Sequence, residues 1–237
     1  MIAGDGAGSP PAEMGNAVPD SLLAALRAQH ARRRQLLNDG ARHVGWKIGA
    51  GIAEIDEVTG GNPAIGYLTS ASVFEHGAAL DAVSGRELRV ETELLIEVAG
   101  NGAGARGVVG VALELVDVAR PPCGMKEIVE ANVFHRAAVL GRPRSGGLPA
   151  AACARLSIDG ELREIAPVTT DVPVTIAHVA GLLAAIGERL QAGDLILAGS
   201  LTHVPLPEGG AIMAEIDGVG RVHATVNAPV RRLRASP

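Results

Sequence analysis

Aromatic side chains are nearly missing from this sequence. Trp46, Tyr67, Phe74 and Phe134 are the whole set, 2% of 237 residues, too few for the stacking platforms on which single-stranded nucleic acids lie. Positive charge is not in surplus: the formal net charge is -5, which argues against a phosphate-backbone partner. Lysine is scarcer still. Of 21 basic residues only Lys47 and Lys126 are lysines, and a lysine kept in so arginine-rich a chain is a candidate for work that needs a compact point charge. Two cysteines, Cys123 and Cys153, do not make a disulfide framework, and no C-x-x-C or Cys/His cluster suggests zinc. No run of about 18 uncharged apolar residues occurs, so no membrane span is expected. The N-terminus lacks the basic-then-apolar order of a signal peptide, and a cytoplasmic protein is expected.

What is present is apolar content, 47% of the chain, enough to exclude disorder over most of the length and to fill a sizeable core. Residues 1–19 are rich in Gly, Ala and Pro without periodicity and read as a disordered leader. Residues 20–237 read as one domain, with a helical part over about 20–42 and a β-rich core over about 43–230. Leu22, Leu23, Leu26, Leu36 and Leu37 predict a helix running to Asn38 with Gly40 as its stop. Residues 88–98 are the clearest strand, with Val90, Leu94, Ile96 and Val98 on one face and Glu91, Glu93 and Glu97 on the other. A Gly-rich turn at 100–107 leads to a second apolar run at 108–118. A helix capped by Thr175 is expected over 176–190, followed by short strands at 194–198, 211–216 and 221–226. Residues 60–63 read as a loop. There is no βαβ rhythm and no internal repeat, so the class is α+β with a mainly antiparallel or mixed sheet.

Several residues can carry chemistry. Glu91 and Glu93 share a strand face about 7 Å apart at roughly 3.3 Å per residue, and like charges so placed repel unless something positive sits between them. Such oxygen-rich sites suit Mg²⁺ or Mn²⁺. Glu114, embedded in an apolar run, is a third carboxylate, and an unpaired charge there is expensive. A solvated acidic strand face with Glu114 paired to an arginine accounts for the same pattern. Lys47 lies between Gly45 and Gly49, where glycines admit a close-lying ligand, or it points from a strand edge into water. Ser200 and Thr202 end a strand and offer hydroxyls. None of the seven histidines shows metal-ligand spacing, and most read as surface or cap residues. Gly100-Asn101-Gly102 joins two strands and opens no helix, so a dinucleotide fingerprint is excluded.

Taken in order, GWKIGA (45–50), PAIGYL (63–68), VETELLIEV (90–98), VALELVD (111–117), Asn132 with VLG (139–141), QAGDLILAGSLT (191–202) and VGRVHATV (219–226) resemble the 2-keto-4-pentenoate hydratase and 4-oxalocrotonate decarboxylase family, within the fumarylacetoacetate hydrolase superfamily. The resemblance spans residues 22–228. It implies a twisted mixed β-sheet roll of the fumarylacetoacetate hydrolase C-terminal type with flanking helices. It also implies Mg²⁺ or Mn²⁺ held by Glu91, Glu93 and Glu114, Lys47 as the active-site lysine, and Ser200, Thr202, Leu68 and Asn132 at the substrate. The implied reaction works on a small 2-oxo or 2-hydroxydienoic acid through an enolate. Hydration of a 2-hydroxy-2,4-dienoate comes first, and decarboxylation of a 4-oxalocrotonate-type acid second. A homo-oligomer, or a complex with a related family member, is the expected assembly.

The sequence departs from that pattern. The interval from Glu93 to Glu114 is short, Asp117 is followed by Val118-Ala119-Arg120 where the family has Ser-Arg, and small hydroxyl residues after Asn132 are replaced by Val133, Phe134, His135 and Arg136. His135 is thereby a candidate replacement acid/base, since imidazole titrates near neutrality, or a space-filling residue. Acylpyruvate hydrolysis would require a His/Glu pair on an N-terminal lid; His30 and His43 lie in that half without such a motif. An isomerase, a cyclase or a non-catalytic partner subunit completes the alternatives.

Overall fold

The computed structural model describes residues 20–49, 64–81, 88–100, 105–118, 124–144 and 146–227. The leader at 1–19, the loop at 60–63, residues 101–104 of the turn at 100–107 and the Ala119-Arg120 departure lie outside the described residues.

Chain order runs α1 (Asp20–Asn38), β1 (His43–Gly49), β2 (Ala64–Thr69), β3 (Val73–Glu75), β4 (Ala79–Asp81), β5 (Leu88–Ala99) and β6 (Arg106–Asp117). It continues with α2 (Met125–Glu130), β7 (His135–Leu140), β8 (Cys153–Ile158), β9 (Glu161–Pro167), α3 (Val172–Ala185), β10 (Leu195–Pro205), β11 (Gly210–Ile216) and β12 (Gly220–Asn227). Seven strands form one sheet in the order β2-β1-β10-β5-β6-β7-β3, and five form a second in the order β4-β12-β11-β8-β9. The β1–β10, β3–β7 and β4–β12 pairs are parallel and the rest antiparallel. The mixed, curled sheet expected of this chain is the one it forms. One apolar cluster joins Leu22 and Leu26 of α1, Leu94, Ile96 and Leu113 of the large sheet, Leu156, Ile212 and Val222 of the small sheet, and Ile176 and Leu183 of α3.

The helices follow their sequence signals, with one shift. In α1 the buried positions Leu22, Ala25, Leu26, Gln29, His30 and Arg33 recur at helical spacing. Gln29 Nε2 donates to the carbonyls of Ile65 (3.0 Å) and Val129 (2.7 Å), tying α1 to β2 and α2. Helix α3 begins at Val172, earlier than Thr175 suggests, because Asp171 caps it by accepting from the Val174 N–H at 3.0 Å and Pro173 sits in its first turn. It stops at Ala185, short of Leu190, where Gly187 turns left-handed at φ +80°. The β8–β9 hairpin carries no clear sequence signal: β9 is charged, and its apolar Leu162 and Ile165 are exposed.

Strand β1 is anchored from the face opposite Lys47. Trp46 Nε1 donates to Asp194 Oδ2 at 3.0 Å, while His43 Nε2 meets Asp194 Oδ1 at 3.1 Å. His30 stands edge-on to the Trp46 ring and Arg33 lies over it, 4.7 Å from its centroid. Neither ring nitrogen of the buried His30 has a hydrogen-bond partner among the described residues. Burial therefore pushes the His30 pKa below its ordinary 6.5, helped by Arg33, Arg34 and His43 against the pull of Glu188. As pH falls below about 6.5, the unfolded chain takes up this proton before the folded one does, so stability present above that pH is lost on the way down. Urea unfolding at pH 7 and pH 5 will show a smaller drop for His30→Leu than for the wild type. Equal drops would remove His30 from the account.

Candidate metal centre

Strands β5 and β6 pair without interruption from Leu88 opposite Asp117 to Ala99 opposite Arg106, which sets Glu91 directly across from Glu114. Glu93 follows on the same face, and one oxygen from each of the three carboxylates lies within 4.8 Å of the others. None of the three is more than 1% exposed. A solvated acidic face is thus realised only at Glu97, which is exposed, and Glu114 is paired with a lysine and a histidine rather than an arginine. Lys47 Nζ, itself buried, donates to Glu114 Oε1 at 2.5 Å and to the Val133 carbonyl at 3.1 Å. His135 Nδ1 meets the same Glu114 oxygen at 2.7 Å, and its Nε2 meets Ser72 Oγ at 2.9 Å.

The backbone aims these groups through local irregularity. A bulge between Leu115 and Val116 brings His135 opposite Val116 and so onto the Glu114 face. Two register shifts in β10, on either side of Ser200, set Ser200 opposite Glu93 and His203 opposite Glu91. His203 Nδ1 meets Glu91 Oε1 at 2.6 Å. Asn132, Val133 and Phe134 are all left-handed (φ 57°, 53° and 59°), a costly conformation for a β-branched residue. That turn delivers the Val133 carbonyl to Lys47. Gly66 opposite Lys47 leaves room for it: a Cβ there would stand 2.7 Å from Lys47 Cγ.

Burial, together with Glu114 and Glu91, holds the Glu93 carboxyl well above the usual carboxylate range. Burial also pushes Glu114 upward, but Lys47 and His135 outweigh it and leave that carboxyl below its ordinary value. Burial would lower Lys47, yet Glu114, Glu91 and Glu93 raise it and keep the ammonium charged. Glu93 Oε2 and Glu114 Oε2 are buried and receive no donor from any other described residue, and the raised Glu93 carboxyl can meet Glu114 only by sharing a proton with it. A divalent cation would satisfy both, and an all-carboxylate donor set is the hard oxygen set that Mg²⁺, Mn²⁺ or Ca²⁺ takes. The residues fit such an ion.

A narrow cleft, with a cavity volume of about 10 Å³, lies beside the carboxylates, lined by Lys47, Glu91, Glu93 and Ser200, and walled by Ile48, Val116, Val118, Val133 and Phe134. Of the candidates from sequence, Lys47, the three glutamates and Ser200 therefore converge. His135 sits behind Glu114 and does not line the cleft. Thr202 Oγ1 accepts the Thr92 N–H within the sheet at 3.0 Å. Leu68 packs with Leu95, Ala112, Ala138 and Leu197 in a small apolar cluster. The Asn132 amide pairs with both backbone groups of Tyr67, at 2.8 and 3.0 Å, and so fixes the strained turn. His30 and His43 pack on Trp46, away from the cleft. His203 was not singled out by sequence, whereas Val118, Val133 and Phe134 of the wall stand among the departures named there; the only clue to His203 is its place in the strand that carries Ser200.

No family model and no curated protein matches the sequence. Solved structures do match. The 4-oxalocrotonate decarboxylase from Pseudomonas putida G7, complexed with calcium and acetate, superposes with a TM-score of 0.74 at 21% identity, covering 86% of this chain and 85% of that one. This is the fumarylacetoacetate hydrolase fold. A fumarylpyruvate hydrolase from Pseudomonas aeruginosa, complexed with Mn²⁺ and pyruvate, shares it with a TM-score of 0.58, 19% identity and coverage of 79% and 90%. So does a 5-carboxymethyl-2-hydroxymuconate delta-isomerase from Mycobacterium smegmatis, at 0.55, 19% and 78% of both chains. The resemblance read from sequence holds at the level of fold, and the fold hosts decarboxylase, hydrolase and isomerase chemistry.

Replacing Glu93 by its neutral isostere removes one of the crowded charges. In EDTA, Glu93→Gln will melt at or above the wild-type temperature, by up to roughly 2–4 °C for about 1 kcal/mol in a chain this size. With Mg²⁺ or Mn²⁺ the wild type will rise by mass action and the variant will not. A variant that melts lower in EDTA would show that the cluster is not strained without a cation.

Proposed function

We propose that the chain is a divalent-metal-dependent lyase acting on a small 2-oxo or 2-hydroxydienoic acid, with hydration of a 2-hydroxy-2,4-dienoate to a 4-hydroxy-2-oxo acid as the leading reaction. One observation carries the reading: three buried carboxylates crowd together beside a charged lysine, and Glu91, Glu93 and that lysine line an apolar-walled cleft. The solved structures of this fold that hold Ca²⁺, Mg²⁺ or Mn²⁺ support it. Bound at Glu91, Glu93 and Glu114, such an ion supplies Lewis-acid stabilisation of charge developing on the acid's C1 carboxylate and C2 oxygen.

The chain's own residues supply the rest. An ammonium has three N–H donors; Lys47 directs two at Glu114 and Val133, and the third has no hydrogen-bond partner among the described residues, beside the cleft that it lines. Nζ can therefore hand a proton to substrate carbon, or stand as a fixed positive charge beside the enolate. The Val116, Val118, Val133 and Phe134 wall excludes bulk water from the conjugated tail and strengthens these electrostatics. Ser200 lines the cleft at the Glu93 end.

Decarboxylation is the second reading, and a specific feature favours it. Apart from the carboxylates, Lys47 is the one proton carrier among the described residues lining the cleft. Loss of CO₂ asks the protein for a single proton to carbon, whereas addition of water also asks for a group that takes one from the water. Acylpyruvate hydrolysis has a precedent in the fumarylpyruvate hydrolases of this fold but draws no support from the site, since His30 and His43 lie against Trp46. A non-catalytic partner subunit has no use for three buried, mutually repelling carboxylates.

Assays of 2-hydroxydienoates and 4-oxalocrotonate-type acids with Mg²⁺ or Mn²⁺ will show loss of the conjugated absorbance, and CO₂ release against water incorporation separates the two lyase outcomes. Lys47→Met will lower kcat on the order of 10²–10⁴-fold. If neither metal nor metal with oxalate, a chelating mimic of the enolate, raises the wild-type melting temperature, the reading fails.

A further inference from the structure

Two histidines outside the cleft touch two of the three clustered carboxylates, and in the same way. His135 presents Nδ1 to Oε1 of Glu114 at 2.7 Å, and His203 presents Nδ1 to Oε1 of Glu91 at 2.6 Å. A carboxylate oxygen only accepts, so each imidazole N–H is the donor. His135 is held in turn at its ring, and His203 at its backbone. His135 Nε2 meets Ser72 Oγ at 2.9 Å, and the His203 backbone N–H donates to Glu164 Oε2 at 2.7 Å, on strand β9 of the other sheet. Neither ring borders the cleft, and both ring nitrogens of His135 are occupied.

We propose that His135 and His203 are positioning residues for the metal carboxylates, each clamping one oxygen so that the other is presented to the ion. The inference rests on the metal-dependent reading above. A glutamate left to itself has several rotatable bonds and loses their rotamer freedom when fixed. A donor held on one oxygen sets the plane of the carboxylate before any ion arrives. At Glu114 the outcome is visible: Oε1 takes both Lys47 and His135, and Oε2 is left buried with no donor from outside the carboxylate cluster among the described residues. The backbone is bent to achieve this, since the β6–β7 bulge puts His135 on the Glu114 face and the paired shifts in β10 put His203 across from Glu91. His135 thus acts through Glu114, and the free acid/base role open to it in the sequence is replaced by orientation. Glu93 has no such imidazole and is the ligand left to adapt.

The test uses the full chain stripped with EDTA and titrated with Mn²⁺ alone, free Mn²⁺ being read by electron paramagnetic resonance. His135→Ala and His203→Ala will each weaken Mn²⁺ binding on the order of 10–100-fold. His135→Asn and His203→Asn, whose amide N–H stands near the Nδ1 position, will recover most of the loss. Melting temperatures in EDTA will stay close to wild type for the His203 variants, whose side chain is 26% exposed, so the His203 pair decides the matter even where His135→Ala does not fold. Alanine variants that bind Mn²⁺ as the wild type does, or asparagine variants no better than alanine, overturn the positioning role alone. A wild-type chain that binds no Mn²⁺ overturns the metal reading and this inference with it.

Discussion

Three carboxylates, with oxygens within 4.8 Å of one another, occupy a part of the sheet from which water is largely excluded. At an effective dielectric of about 20, each pair of charges at that distance costs about 3 kcal/mol. Nothing in the local strand geometry relieves this, so the surroundings must. Lys47 and His135 converge on one oxygen of Glu114 and hold that carboxyl ionised, while Glu93, reached by neither, is forced well above the usual range. The unequal treatment of neighbouring acids makes the cluster tolerable without a cation and leaves it short of one positive partner.

Much of the remaining architecture serves to keep that arrangement rigid. Lys47 is placed by β1, and β1 is held from behind by the Trp46–Asp194 hydrogen bond and by α1, which Gln29 pins to β2 and α2. The far side of the lysine is fixed by the Val133 carbonyl, available only because three successive residues adopt left-handed backbone. The Asn132 amide stabilises that turn by pairing with Tyr67 as a strand neighbour would. Strain in the loop is offset by a side chain that mimics backbone, and the result is a carbonyl aimed at an ammonium.

The triad was legible because its chemistry conflicts with its context. Glu91 and Glu93 alternate with apolar residues, and Glu114 interrupts an apolar run, so both patterns show against a β-strand background. The fold was legible in β5 and β12 through period-two alternation and in β6 through its nearly unbroken apolar run. What sequence did not show was register. That Glu91 faces Glu114 depends on the turn joining β5 to β6, and that His203 faces Glu91 depends on two shifts in β10 that leave no compositional mark. The left-handed run at Asn132 to Phe134 contains no glycine, and the β8–β9 hairpin lacks an apolar face on β9, so neither carried its usual signature.

Register also explains why the departures from the resembled family need not undo the site. Residues Val133, Phe134 and His135 replace small hydroxyl residues, yet they enter from the end of β7 and the turn before it, and the carboxylates sit on β5 and β6. The substitutions change what surrounds the acids without moving the strands that carry them. His135 occupies space behind Glu114, and Val133 and Phe134 turn one wall of the cleft apolar. Under the lyase reading proposed above, a cleft rebuilt in this way would keep its means of stabilising an enolate and change the tail it accepts. Divergence in this chain therefore falls on the cleft wall more heavily than on the carboxylate cluster.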